Sequence, residues 1–169
     1  MKYILNAFSA NMLSEESSIV VDFKKIEPNR VEEDAVSCIG FANTAAIVSK
    51  LIGKTVEVNR ASCALKKGDK AFIAQYQGPR LAEGTVELPE GSRMEFWKAE
   101  VVDETVQEFV GVDNCSIANA FSISMLQEDC KVCFEHCRKE DIPANVKSYV
   151  GHPDLANVLT KQLSANIEV

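Results

Sequence analysis

Residues Ala35–Val58 read AVSCIGFANTAAIVSKLIGKTVEV, and the punctuation of this stretch decides the fold class. Ala35–Ile39 has the length and apolar character of a short strand. After Gly40, the residues Thr44, Ile47, Val48, Leu51 and Ile52 recur at helical spacing, and Gly53 stands where a helix C-terminal glycine belongs. Thr55–Val58 reads as a strand again. Upstream, Lys2–Asn6 and the β-branched run Ser18–Phe23 (SIVVDF) read as strands, with one helical turn at Ser9–Leu13. Downstream, Lys70–Tyr76 and Met94–Val101 read as strands, set off by the turn formers Lys67-Gly68-Asp69, Gly78-Pro79 and Pro89-Glu90-Gly91. Strands interleaved with helices predict an α/β fold, a mixed sheet with flanking helices.

The pattern occurs twice. Ile4–Leu13 (ILNAFSANML) matches Ile117–Leu126 (IANAFSISML) at seven of ten positions without a gap. Gly40–Val58 aligns with Gly151–Val169 (GHPDLANVLTKQLSANIEV) with five identities and several Ile/Val, Val/Leu and Ser/Thr exchanges. The offsets are 113 and 111 residues, so the stretch between the blocks is two residues shorter in the second copy. The reading is an internal duplication forming a pseudo-dimer: a complete unit at 1–104, a join at 105–113 and a partial second copy at 114–169. In that second copy Pro153 suits the first turn of a helix, and Leu155, Val158, Leu159 and Leu163 form an apolar stripe expected to be core.

Composition narrows the function classes. The 169 residues carry 25 acidic and 18 basic side chains, a formal charge of −7, which disfavours general coating of DNA or RNA. A small anion in a local pocket remains compatible with that charge. No apolar run approaches the roughly 18 to 20 residues of a membrane span, and the opening Met1–Asn6 has too short an apolar core for a signal peptide. A cytoplasmic protein with six reduced cysteines is therefore expected, with no membrane partner. The short basic cluster Lys66, Lys67 and Lys70 beside Asp69 reads as a solvated turn.

Histidine chemistry is confined to His136 and His152. His152 follows Gly151 and falls at a helix N-cap, where free N–H groups and the positive end of the helix dipole can receive a phosphate. The run Cys130-x-x-Cys133-x-x-His136-Cys137 offers three thiols and an imidazole for zinc. Four ligands within eight residues strain that geometry, and the run aligns with Ser17–Lys24 of the first copy, a strand, so zinc is the less favoured reading. No metal or other cofactor is assigned.

The block N-A-F-S-x-x-M-L, the Gly-His opening a helix, the helix-to-VEV step and the later Arg80-Leu81-Ala82-Glu83-Gly84 resemble the viral ring nucleases over about the first 100 residues, with the first half of the pattern recurring from about residue 115. That resemblance implies a homodimeric α/β protein that binds cyclic tetra-adenylate across its two-fold axis and cleaves it without metal, silencing type III CRISPR signalling from the cytoplasm of the host. It places the family's catalytic histidine on His152 in the second copy but on Phe41 in the first, and the arginine and glutamate of its R-L-x-E-G motif on Arg80 and Glu83. It implies His152 and Glu83 as catalytic residues and Ser9, Asn11, Arg80, Ser122 and Gly151 as substrate contacts. Each copy lacks what the other keeps, so a composite site is expected, formed within one chain or with a second. A binding protein that sequesters a cyclic nucleotide is the alternative, because Phe41 can stack on a base but cannot transfer a proton. A purely structural module, in which the half-copy covers a sheet edge, is a third.

Overall fold

A computed structural model describes residues 1–13, 18–103, 116–118, 121–135, 138, 140, 142, 147–149 and 153–163. In chain order the elements are β1 (Lys2–Leu5), β2 (Ser18–Ile26), β3 (Val36–Ser37), α1 (Ala42–Ile52), β4 (Lys70–Gln77), β5 (Arg93–Val102), β6 (Ser116–Ala118), β7 (Cys130–Glu135), β8 (Lys147–Tyr149) and α2 (Pro153–Leu163). Single 3₁₀ turns lie at Ala10–Met12, Pro28–Arg30 and Ile123–Met125. The main sheet has the order β3-β1-β4-β5-β2-β7. Strand β1 runs parallel to both β3 and β4, and the remaining pairs are antiparallel, so the sheet is mixed and the fold is α/β. Among the described residues no helix is long and apolar enough to cross a membrane.

The two-residue period of a strand sends neighbouring side chains to opposite faces, and here both faces are covered. Phe72, Ala74, Phe96 and Ile4 pack on one face with Ala45 and Val48 of α1. Ile73, Trp97, Ala99, Val21 and Phe23 pack on the other with Phe8, Leu65 and Ile123. Central strands buried on both sides explain why β4 reads KAFIAQYQ, with four consecutive buried residues rather than an alternating pattern. Helix α1 ends as expected at Gly53, whose φ of 73° is the left-handed conformation a glycine adopts without penalty.

Three expectations need correction. Thr55–Val58 is not a strand. Its backbone is used elsewhere: Val56 N donates to Ser49 Oγ at 2.8 Å, and Asn59 N just beyond donates to Ile39 O at 2.8 Å. The strand expected over Ala35–Ile39 contracts to two residues, because the chain leaves β1 after two registered pairs. The apolar stripe of α2 is not core: only Ala156 is buried and Val158 is 48% exposed, whereas α1 buries Thr44, Ala45, Ile47 and Val48 against a wide sheet.

The chain beyond residue 103 joins the main sheet through β7, which pairs antiparallel with β2, placing Val21 opposite Val132. Beneath that seam four phenylalanine rings meet. Phe8–Phe23 (5.1 Å, 84°) has nearly the geometry of Phe121–Phe134 (5.2 Å, 82°). Likewise Phe8–Phe134 (5.8 Å, 44°) is close to Phe23–Phe121 (5.7 Å, 36°). Strands β6 and β8 form a separate parallel pair with Ser116 opposite Lys147 and Ile117 opposite Ser148. In β1 and β3 the corresponding partners are Tyr3 with Val36 and Ile4 with Ser37.

Candidate functional site

Parallel strands β1 and β4 end side by side, and α1 begins above them. Ligands in open α/β sheets collect at such carboxyl ends. A cleft of about 960 Å³ lies there, lined by Asn6 and Ala7 after β1, by Phe41, Ala42, Asn43 and Thr44 at the start of α1, by Gln75 and Tyr76 on β4, and by residues 78 and 80–84. That volume is at the upper end of the roughly 300 to 1,000 Å³ typical of small-molecule sites, enough for more than a mononucleotide.

The loop carrying Arg80 and Glu83 is shaped by three local devices. Tyr76 Oη donates to Pro79 O at 2.8 Å, which folds the chain back immediately after β4. Gly78 sits so close to this corner that a Cβ would lie 2.5 Å from Ser92 Cβ and 2.6 Å from Tyr76 Oη, so only glycine fits. Gly84, with φ of 78°, makes the next turn, and Thr85 closes it by donating from Oγ1 to Ala82 O at 2.7 Å. The loop therefore presents Arg80 and Glu83 on a braced backbone, both exposed to the cleft. Among the described residues neither side chain has a hydrogen-bond or ion-pair partner. A guanidinium lining a cleft without a carboxylate partner is available to a phosphate, whose oxygens fit its fork.

The start of α1 adds to this polarity. Phe41 occupies the N-cap with no side-chain capping bond, and the first turn contains no acidic residue. Thr44 N is satisfied by Asn43 Oδ1 at 2.9 Å. Residues Phe41–Thr44 line the cleft, and the first N–H groups of a helix have no intrahelical partner and carry the positive end of its dipole.

The structure thus gathers Arg80, Glu83 and Phe41 into one cleft. Ser9 and Asn11 do not line it. Ser9 instead caps the first 3₁₀ turn, its Oγ accepting from Asn11 N at 3.4 Å, and Ser122 does the same for Ser124 N at 3.4 Å. His152 and Gly151 lie outside the described residues, as do His136 and Cys137. Cys130 and Cys133 are on β7, three residues apart on opposite faces, and among the described residues no His/Cys/Asp/Glu group is arranged to hold a metal. In the Lys66–Lys70 turn, Lys66 and Lys67 are exposed while Asp69 is buried; Lys67 pairs with Asp103, Lys70 with Glu32, and Asp69 Oδ2 accepts from Lys66 N at 3.0 Å. Sequence reasoning missed Asn6, Asn43, Gln75 and Tyr76, which become a set only once β1, β4 and α1 converge. The signal available beforehand was their position at predicted element ends.

These features define an α/β protein with a cleft at the carboxyl ends of parallel strands, lined by one arginine and one glutamate. Residues 2–98, more than half of the chain and all of the cleft, match the STIV B116-like family. The protein belongs to that family. Among solved structures it is similar to B116 of Sulfolobus turreted icosahedral virus, with 25% identity over 59% of this chain and 97% of that one and a TM-score of 0.49. No curated protein matches.

Proposed function

We propose that the protein is a ring nuclease that binds cyclic oligoadenylate, specifically cyclic tetra-adenylate, and opens it without a metal, switching off or counteracting type III CRISPR signalling. The observation that carries this reading is the placement of Arg80 and Glu83 together on one braced loop, each unpartnered among the described residues and beside the start of α1. In the proposed reaction a ribose 2′-oxygen of the substrate attacks the adjacent phosphorus in line and loses its proton as the P–O5′ bond breaks. A 2′,3′-cyclic phosphate and a 5′-hydroxyl result. Arg80 neutralises the non-bridging oxygens, Glu83 receives the 2′-proton, and His152 protonates the departing 5′-oxygen. No protein nucleophile is required, so the main tasks are positioning and charge stabilisation.

Phe41 cannot donate a proton, which makes the segment 114–169 part of the proposal as a partial second copy bringing His152 to a composite site. Support comes from the backbone: β6 and β8 repeat the register of β1 and β3 step for step. Helices α1 and α2 are each 11 residues, and Ser9 and Ser122 cap equivalent turns. The pairwise agreement of the phenylalanine geometries is what a pseudo-two-fold axis at the β2–β7 seam produces. Phe8 and Phe121 are 113 residues apart but Phe23 and Phe134 are 111 apart, so the two-residue shortening precedes β7. Cys130–Glu135 then corresponds to Ile19–Lys24, two residues on from the ungapped alignment.

The test is a digest of cyclic tetra-adenylate in excess chelator, resolved by chromatography. Cleavage by the wild type, reduced roughly 10²- to 10³-fold by Arg80→Ala, is expected. Intact ring after prolonged incubation, with ring recovered from the denatured complex, would favour the second reading, sequestration. Phe41 motivates that reading, standing 58% exposed in the cleft at the position where the resemblance places an acid in a complete unit.

A further inference from the structure

The segment after β3 holds a constellation that the cleavage chemistry leaves unused. Arg60 lies 20 residues from Gly40 in sequence, yet its Nε donates to Gly40 O at 3.1 Å. Its stem crosses the glycine so closely that a Cβ there would fall 2.6 Å from Arg60 Cγ. The guanidinium carbon is then 5.6 Å from the centroid of the Phe41 ring. Neighbouring backbone fixes this arrangement: Asn59 N donates to Ile39 O and Asn59 Nδ2 to Ser37 O, both at 2.8 Å, while Asn59 Oδ1 accepts from Ala61 N at 3.1 Å. Phe41 lines the cleft, whereas Arg60 is not part of its lining.

We propose that Phe41, backed by Arg60 across Gly40, is a stacking platform that receives an adenine base of the bound ligand and sets the cleft's preference for purines over pyrimidines. The inference rests on the reading of the cleft as a nucleotide site. A large apolar ring left 58% exposed, with a guanidinium over it, offers a π surface and nothing that could bond a phosphate. Purines present twice the ring system of pyrimidines to such a face, so the stacking gain falls when the base is changed to uracil. Arg60 holds the ring in place and is a positioning residue.

Calorimetry with cyclic tetra-adenylate and cyclic tetra-uridylate, both in 2′-deoxy form so that the attacking hydroxyl is missing and the rings stay intact, using wild type, Phe41→Ala, Phe41→Trp and Arg60→Ala, tests this. Phe41→Ala should weaken cyclic tetra-adenylate binding roughly 5- to 150-fold, the range for loss of one base–aromatic stack, and weaken cyclic tetra-uridylate distinctly less. Phe41→Trp should retain the adenine preference, and Arg60→Ala should erode it partway. Thermal melting separates these effects from misfolding, since an exposed ring contributes little to the core. Tight adenylate binding left unchanged by Phe41→Ala, or equal losses for both rings, would overturn the platform while leaving the cleft reading standing. No binding of either ring by the wild type would overturn both.

Discussion

Replacing Phe8 by alanine tests whether the C-terminal segment shares a core with the main sheet. Phe8 is 4% exposed, and its ring lies 5.1 Å from Phe23, 5.9 Å from Phe121 and 5.8 Å from Phe134. Deleting a buried phenylalanine costs about 3–5 kcal/mol, a large part of the roughly 5–15 kcal/mol that holds a domain together. Phe121→Ala should cost less, because that ring is only half-buried. The two rings meet edge to face at 80°, a geometry worth about 0.5–1.5 kcal/mol beyond buried area. Equilibrium urea unfolding of the wild type, both single variants and the double variant gives the coupling directly. Independent sites add within about 0.3–0.5 kcal/mol, so a coupling above that is predicted. Strict additivity would mean that the segment containing Phe121 does not stabilise the sheet through this cluster.

Other outcomes follow from single positions. Gly78→Ala has no room for its Cβ, so the corner beside Arg80 must shift; melting should show a loss of about 1–3 kcal/mol, and cyclic tetra-adenylate should bind more weakly. Unchanged melting and binding would show that the corner yields freely. Glu95 accepts from Lys25 Nζ at 3.0 Å and Gln77 Nε2 at 3.1 Å, and Lys25 holds its carboxyl below the ordinary range against the opposing effect of partial burial. A depressed folded value means the unfolded chain takes up this proton first as the solution is acidified. The stabilisation is therefore complete above about pH 4.3 and fades as pH falls through the folded value. Glu95→Gln should flatten the fall of the urea midpoint on the acid side; an unaltered slope would remove Glu95 as a contributor.

The elements around α1 were legible because period and punctuation agree. The spacing from Thr44 to Ile52, closed by Gly53, gives a helix of 11 residues, and β2, β4 and β5 each extend the predicted strands by one to three residues. Thr55–Val58 misled because β-branched composition signals a strand only where a partner edge exists. The nearest open edge belongs to β3, only two residues long, and Val56 N is satisfied by a serine hydroxyl instead. The stripe of α2 misled for a related reason: helical spacing specifies a face but not what lies opposite, and Val158 remains 48% exposed. In the site, Arg80 and Glu83 were visible as a short motif, since residues three positions apart on one loop keep their proximity in any fold. Asn6 and Gln75 are 69 residues apart in sequence and meet only through parallel pairing of β1 with β4. Ser9, expected as a ligand contact, also caps a 3₁₀ turn, a local role that its sequence position did not reveal.

A proton donor from the shorter repeat working opposite the arginine of the longer one can be tested most directly by the single-turnover rate of cyclic tetra-adenylate cleavage by His152→Ala in excess chelator. The rate should fall roughly 10²- to 10⁴-fold, the usual contribution of a general acid, with ligand affinity largely retained. Cleavage at the wild-type rate would contradict the composite site and remove His152 from the mechanism.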